Sequence, residues 1–137
     1  MSIEEENKAT LLHFYELFNQ NKPDKCNELV APEFISHRTT GDISREDLIK
    51  GITMLFTAFP DFKATIEHLV AEGNMIAYRE ICIGTHKGEF MGIAPTRKRV
   101  EMINTSILKI IDGKWVEAWP TLDLMRLMQQ LGAIPSQ

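Results

Sequence analysis

The sequence has no basic excess, no long apolar run and very little cysteine, and each shortage removes a class of protein. Lys and Arg number 15 against 19 Asp and Glu, a formal net charge of −4, whereas phosphate-binding surfaces show a basic excess or stripe. The one dense basic cluster, Arg97-Lys98-Arg99, reads as a solvated loop end, so no nucleic-acid partner is expected. No stretch approaches the ~20 apolar residues of a membrane span, and Met1 to Asn7 are acidic, without the segments of a secretory signal. A cytoplasmic protein with no membrane partner is expected. Cys26 and Cys82 are far apart and lack the spacing of a zinc site or the density of a disulfide scaffold, so both read as buried thiols. No His/Cys/Asp/Glu cluster has metal spacing, no glycine-rich stretch has phosphate-loop context, and no serine sits in a nucleophile elbow. Any chemistry is expected to be acid–base work without cofactor or metal.

What is present fits one folded domain over residues 1–137. At 44% apolar and 25% charged the composition is that of a soluble globular chain. Leu11, Phe14, Tyr15 and Phe18 recur at helical spacing and predict an amphipathic helix from about Glu4 to Asn19. Cys26, Leu29 and Val30 suggest a short second helix after "NKPDK". Ser44 and Asp47 form a capping box, with Ile43 and Leu48 as a hydrophobic staple, and the third helix then runs until Pro60 removes a backbone donor. Beyond it the period changes from 3.6 to 2. Phe62, Ala64, Ile66, His68 and Val70 alternate along a strand, "EGN" turns, and Met75 to Gly84 returns. Val100–Ile111, Asp112-Gly113 and Lys114–Trp119 form a second hairpin in an antiparallel sheet. A last helix from about Leu122 to Leu131 turns Leu124, Met125 and Met128 inward and ends at Gly132. Helices, then strands, then one helix make the class α+β.

A twisted sheet backed by helices can curl into a cone whose mouth holds a small molecule. Asp123, His86, His37, Arg79, Tyr15, Asn104 and Glu117 are the polar candidates for its lining. Asp123, at the strand-to-helix corner after "WVEAWPTL", is either a carboxylate stabilised by the helix dipole or a desolvated general base. His86 sits where a rigid strand meets the glycine-rich "GTHKGEFMGIAPTRKRV", a favourable place for a site residue. His37 lies on the connecting segment "FISHRTTGD". Arg79 alternates with Ala77 and Ile81, so its charge shares an apolar face and needs a partner; facing the cavity together with His86 would require a bulge.

"GTHKGEFMGIAPTRKRV", the Asp-Gly-Lys turn and the W-x-x-x-D corner, in that order, resemble the SnoaL-like polyketide cyclases, or predicted ester cyclases, of the NTF2-like superfamily. The likeness extends over nearly the whole chain. It implies an NTF2-like cone-shaped α+β barrel, a curved antiparallel sheet wrapped around N-terminal helices with a C-terminal helix, in a homodimer or larger assembly. It also implies that Asp123 is the acid/base of an intramolecular aldol closure and that His86 lines the same pocket. His37 and Arg79 match family positions of less defined role, while Tyr15, Asn104, Trp119 and Phe90 would shape the pocket. Pro95-Thr96-Arg97-Lys98 stands where relatives often read P-T-G-K, and Ala118 where they often carry His. The expected function is cofactor-independent acid/base catalysis on a small, mostly apolar carbonyl substrate. A non-catalytic small-molecule-binding domain, or a hydrolase or isomerase on the same scaffold, are the alternatives.

Overall fold

The computed structural model describes residues 1–135. Helices α1 (Ile3–Asn19), α2 (Pro23–Asn27) and α3 (Arg45–Ala58) precede most of the sheet, and α4 (Leu124–Leu131) follows it. The strands are β1 (Val30–Arg38), β2 (Gly41–Ser44), β3 (Lys63–Glu72), β4 (Met75–Thr85), β5 (Arg99–Ile111) and β6 (Lys114–Leu122). They form one sheet in the order β2-β1-β6-β5-β4-β3. No helix among the described residues is long and apolar enough to cross a membrane.

The third helix starts as its sequence dictates: the Ser44 hydroxyl accepts from the Asp47 N–H, and the Asp47 carboxylate accepts from the Ser44 N–H. Asp112 and Gly113 both take positive φ (51° and 73°), the geometry a two-residue hairpin turn needs, and so the β5–β6 hairpin closes tightly. Leu11, Phe14, Tyr15 and Phe18 of α1 are buried against the sheet; Phe14 stacks on Trp115 of β6 with ring centroids 3.8 Å apart.

The structure corrects four local expectations. The sheet is mixed rather than antiparallel, because β1 runs parallel to β6, with Ser36 beside Ala118. The segment after α2 is that strand, with Phe34 and Ser36 inward, so His37 sits in a strand and not on a connector. The inward face of β3 changes at a bulge between Ile66 and His68: Ala64 and Ile66 pack inward before it, Leu69 and Ala71 after it, and Val70 is exposed. In α4, Leu127 and Leu131 are the buried residues and Leu124 and Met128 pack half-buried against the core as expected, whereas Met125 points to solvent.

α4 closes the sheet where β6 has run out. Asp123 N–H donates to the Ile103 carbonyl (2.9 Å), and the Gln130 side-chain amide both accepts from Glu101 N–H (2.8 Å) and donates to Glu101 O (2.7 Å), pairing like a short strand. The β4–β5 connection, residues 86–98, is fixed to the end of α3 by Lys87 and Gly88 N–H groups donating to the Ala58 carbonyl. A side chain at Gly88 would meet the Thr57 carbonyl oxygen at 2.5 Å, so this close crossing needs glycine.

Candidate active site

The inward residues of β4 are Ile76, Tyr78, Glu80 and Cys82, all buried. Across from them β5 turns Asn104, Ser106 and Leu108 inward, and the register sets Glu80 directly opposite Asn104. Asn104 Nδ2 donates to Glu80 Oε1 at 3.1 Å, while Glu80 Oε2 has no partner among the described residues. From α1 the Tyr15 hydroxyl reaches the Tyr78 hydroxyl at 3.0 Å. Phe14, Phe18 and Trp115 pack around Tyr15, so the polar group sits in an aromatic shell.

This shell perturbs every acid in it. Burial pushes the Glu80 carboxyl from 4.5 up to about 7, against a smaller lowering by Tyr15 and Asn104. The Tyr15 hydroxyl favours the charged Glu80 as a hydrogen-bond donor aimed toward it, and it also pairs with the Tyr78 hydroxyl, either of the two being the donor there. Tyr15, Tyr78 and Cys82 are all raised, by burial first and by the Glu80 charge second, so the tyrosines stay protonated donors. Arg38, next in the inward row of β1 after Ser36, keeps solvent contact but is desolvated enough to lie below its ordinary value; the nearby Tyr15 and Asp47 oppose that shift.

Tyr15 and Asn104 thus fall where the sequence places them, in the interior. Asp123 does not occupy a closed pocket: it is exposed, and its Oδ1 accepts from the Arg126 N–H at 3.1 Å as the cap of α4. His86 is fully buried, but far from Asp123. Asp123 bonds to Ile103, which pairs with Ile81, and His86 lies five residues beyond Ile81, just past the end of β4, roughly 17 Å at ~3.3 Å per residue. His86 Nδ1 lies 3.0 Å from Thr96 Oγ1 and 3.2 Å from Thr96 N, whereas Nε2 is buried with no partner among the described residues, and Phe59 lies beside the ring. Phe90 packs edge-on against Phe59, so it belongs with His86 under the 86–98 connection.

Arg79, His37, Glu117 and Trp119 leave the interior altogether. Arg79 points to the outer face and pairs with Glu67, the residue at the β3 bulge. No bulge brings Arg79 and His86 to one face: the β4–β5 register runs unbroken from Met75 to Thr85. His37 is held between Glu117 (2.6 Å) and Asp42 (3.0 Å) and stacks on Trp119 at 5.5 Å, so both carboxylates raise its pKa, Glu117 foremost. Sequence reading missed Glu80 and Tyr78; the available signal was the Tyr78-x-Glu80-x-Cys82 alternation, read on the opposite phase. Among the described residues no group of three or more His, Cys, Asp or Glu side chains is placed to hold a metal ion.

Comparison with known proteins puts this arrangement in context. The chain is 25% identical over 125 residues to the nogalonic acid methyl ester cyclase of Streptomyces nogalater, covering 84% of this chain and 89% of that one. Among solved structures, IdmH of Streptomyces antibioticus, a candidate polyketide cyclase, shares 32% identity at a TM-score of 0.82, covering 92% of this chain and 98% of IdmH. AclR of Streptomyces galilaeus, a candidate hydroxylase, superposes at a TM-score of 0.90 with 29% identity, over 98% of this chain and 85% of AclR. Residues 9–131 match the family described as SnoaL-like polyketide cyclase. With the cone of helices and curved sheet common to these structures, and a match over most of its length, the chain belongs to the SnoaL-like polyketide cyclase family.

Proposed function

We propose that this protein performs cofactor-independent acid–base chemistry of the cyclase type on a small, mostly apolar carbonyl compound bound among the aromatic side chains of the cone. The observation that carries this reading is the buried Tyr15–Tyr78 hydroxyl pair, 3.0 Å apart within that shell. Desolvation keeps both hydroxyls protonated, so the pair can donate to a carbonyl oxygen as negative charge builds on it, and in a dry site such a donor is strengthened. Phe14, Phe18 and Trp115 supply apolar surface for the substrate skeleton. The similarity to a cyclase of a methyl ester supports a carbonyl-bearing substrate.

In this reading Asn104 belongs to the same polar group, and Asp123 stands at its rim, one residue beyond Leu122, the β6 partner of Asn104. His86 Nε2 is a second buried polar atom with no partner among the described residues, just past the end of β4. A specific observation favours a second reading: Asp123 is exposed and caps a helix, as it would in a domain that binds a small molecule without transforming it.

Solvent deuterium exchange at the α-carbons of 2-tetralone, a small apolar ketone, followed by proton NMR, separates the two. Exchange above the buffer rate that falls on the order of 10²-fold in Tyr15→Phe supports catalysis, the usual loss for one oxyanion donor. Binding of the ketone with no exchange above buffer supports the binding domain.

A further inference from the structure

Resting on the acid–base reading of the cone, we propose that Glu80, and not the corner aspartate, is the proton carrier: its free Oε2 takes the α-proton from the substrate and returns it to the product. Glu80 is the one carboxylate among the buried residues described, and no salt bridge reaches it among those residues. Such a group is costly, since a buried acid without a cation loses its hydration with no compensating charge.

A purely structural role does not call for an acid. Glutamine at position 80 would keep a polar oxygen for Asn104 and avoid the cost of the charge. The arrangement has instead the form of a base. Asn104 holds Oε1, Oε2 has no partner among the described residues, and the Tyr15–Tyr78 hydroxyl pair, close enough to feel the Glu80 charge, can hold the substrate oxygen. Asp123 offers the reverse: an exposed carboxylate already engaged with the first turn of α4.

The step balances without an added reagent. The C–H bond at the α-carbon breaks, its proton moves to Glu80 Oε2, and its electron pair flows to the carbonyl oxygen held by the tyrosine pair. The enolate carbon then forms a bond to a second carbonyl carbon, and the resulting alkoxide takes the proton back from Glu80. A carboxyl near 7 can hold either form at neutral pH, which both half-steps need. The titratable groups that sense Glu80 are Tyr15 from α1 and Tyr78 and Cys82 from its own strand, and all three are raised, so none loses a proton in that range.

The same exchange reaction of 2-tetralone is the test, run from pH 5 to 9. In the unaltered protein the rate should rise through about pH 7 and level off as Glu80 ionises. Glu80→Gln should bind the ketone as before while exchange falls on the order of 10²-fold or more, with the pH step gone. Asn104→Ala removes a bond that favours the charged form, so the pH step should move upward, which a residue serving only as packing would not cause.

Exchange at an undiminished rate in Glu80→Gln, while Tyr15→Phe loses it, removes Glu80 and leaves the acid–base reading standing. Bound ketone with no exchange in any form overturns both. Should Glu80→Gln fail to fold, the profile of the unaltered protein decides: a step at the ordinary carboxyl value refutes the assignment.

Discussion

Replacing Glu80 by Gln should make the protein more stable in alkali and leave it nearly unchanged in acid. The folded-state value of about 7 lies above the ordinary 4.5, so the folded chain holds this proton more tightly than the unfolded one. The associated stability is fully present below about pH 4.5 and is lost as pH rises through about 7. At 1.36 kcal/mol per pH unit the gap is worth about 3 kcal/mol, and Gln, which does not titrate, escapes the loss. His37 also has a raised value and so loses stability in the same direction, but it does so in both proteins and cancels in the comparison. Urea unfolding at pH 4.5 and pH 8.5 reads the effect directly. With a slope of about 2 kcal/mol per molar, the midpoint difference between variant and parent should grow by roughly 1.5 M across that range. Midpoints that fall in parallel with pH would refute the desolvated state of Glu80.

Two other predictions concern the ends of the cone. Asp123→Ala should lose about 1 kcal/mol through the α4 cap while Asp123→Asn stays close to the parent, as thermal unfolding will show; abolished exchange in a fully stable Asp123→Asn would return the chemistry to the corner. Gly88→Ala must push a methyl against the Thr57 carbonyl, and it should cost on the order of 1–3 kcal/mol, read as a lower urea midpoint.

The helices and both long hairpins were legible because their signals are local: a capping box at Ser44, a stop at Pro60, an Asp112-Gly113 turn. Strand β1 was not, since "VAPEFISHR" finds its partner in β6 far along the chain and carries Pro32 within it. Which side chains face the interior was only partly legible for a related reason. β4 bears apolar residues on both faces, Ile76 and Cys82 inside, Ala77 and Ile81 outside, with one charge on each. Periodicity alone therefore could not tell whether Arg79 or Glu80 points inward. The phase is set by Tyr78 meeting Tyr15 of α1, a contact between distant segments. Asp123 has both its corner position and the family resemblance in its favour, but α4 begins one residue later and makes it the exposed cap.

The parallel pairing of β1 with β6 ties the first strand to the last, Ser36 beside Ala118. During synthesis, β1 leaves the ribosome with only β2 to pair with, and its other edge stays open until nearly the whole chain has emerged. The final, rate-setting event in folding is then expected to be the closing of that long loop, an entropic cost met only when the contacts it enables have formed. Chains cut short before Lys114 would keep both hairpin-forming strands of the β3–β4 ribbon yet expose the inner edge of β1, and so should gather into aggregates rather than settle into a smaller version of the domain.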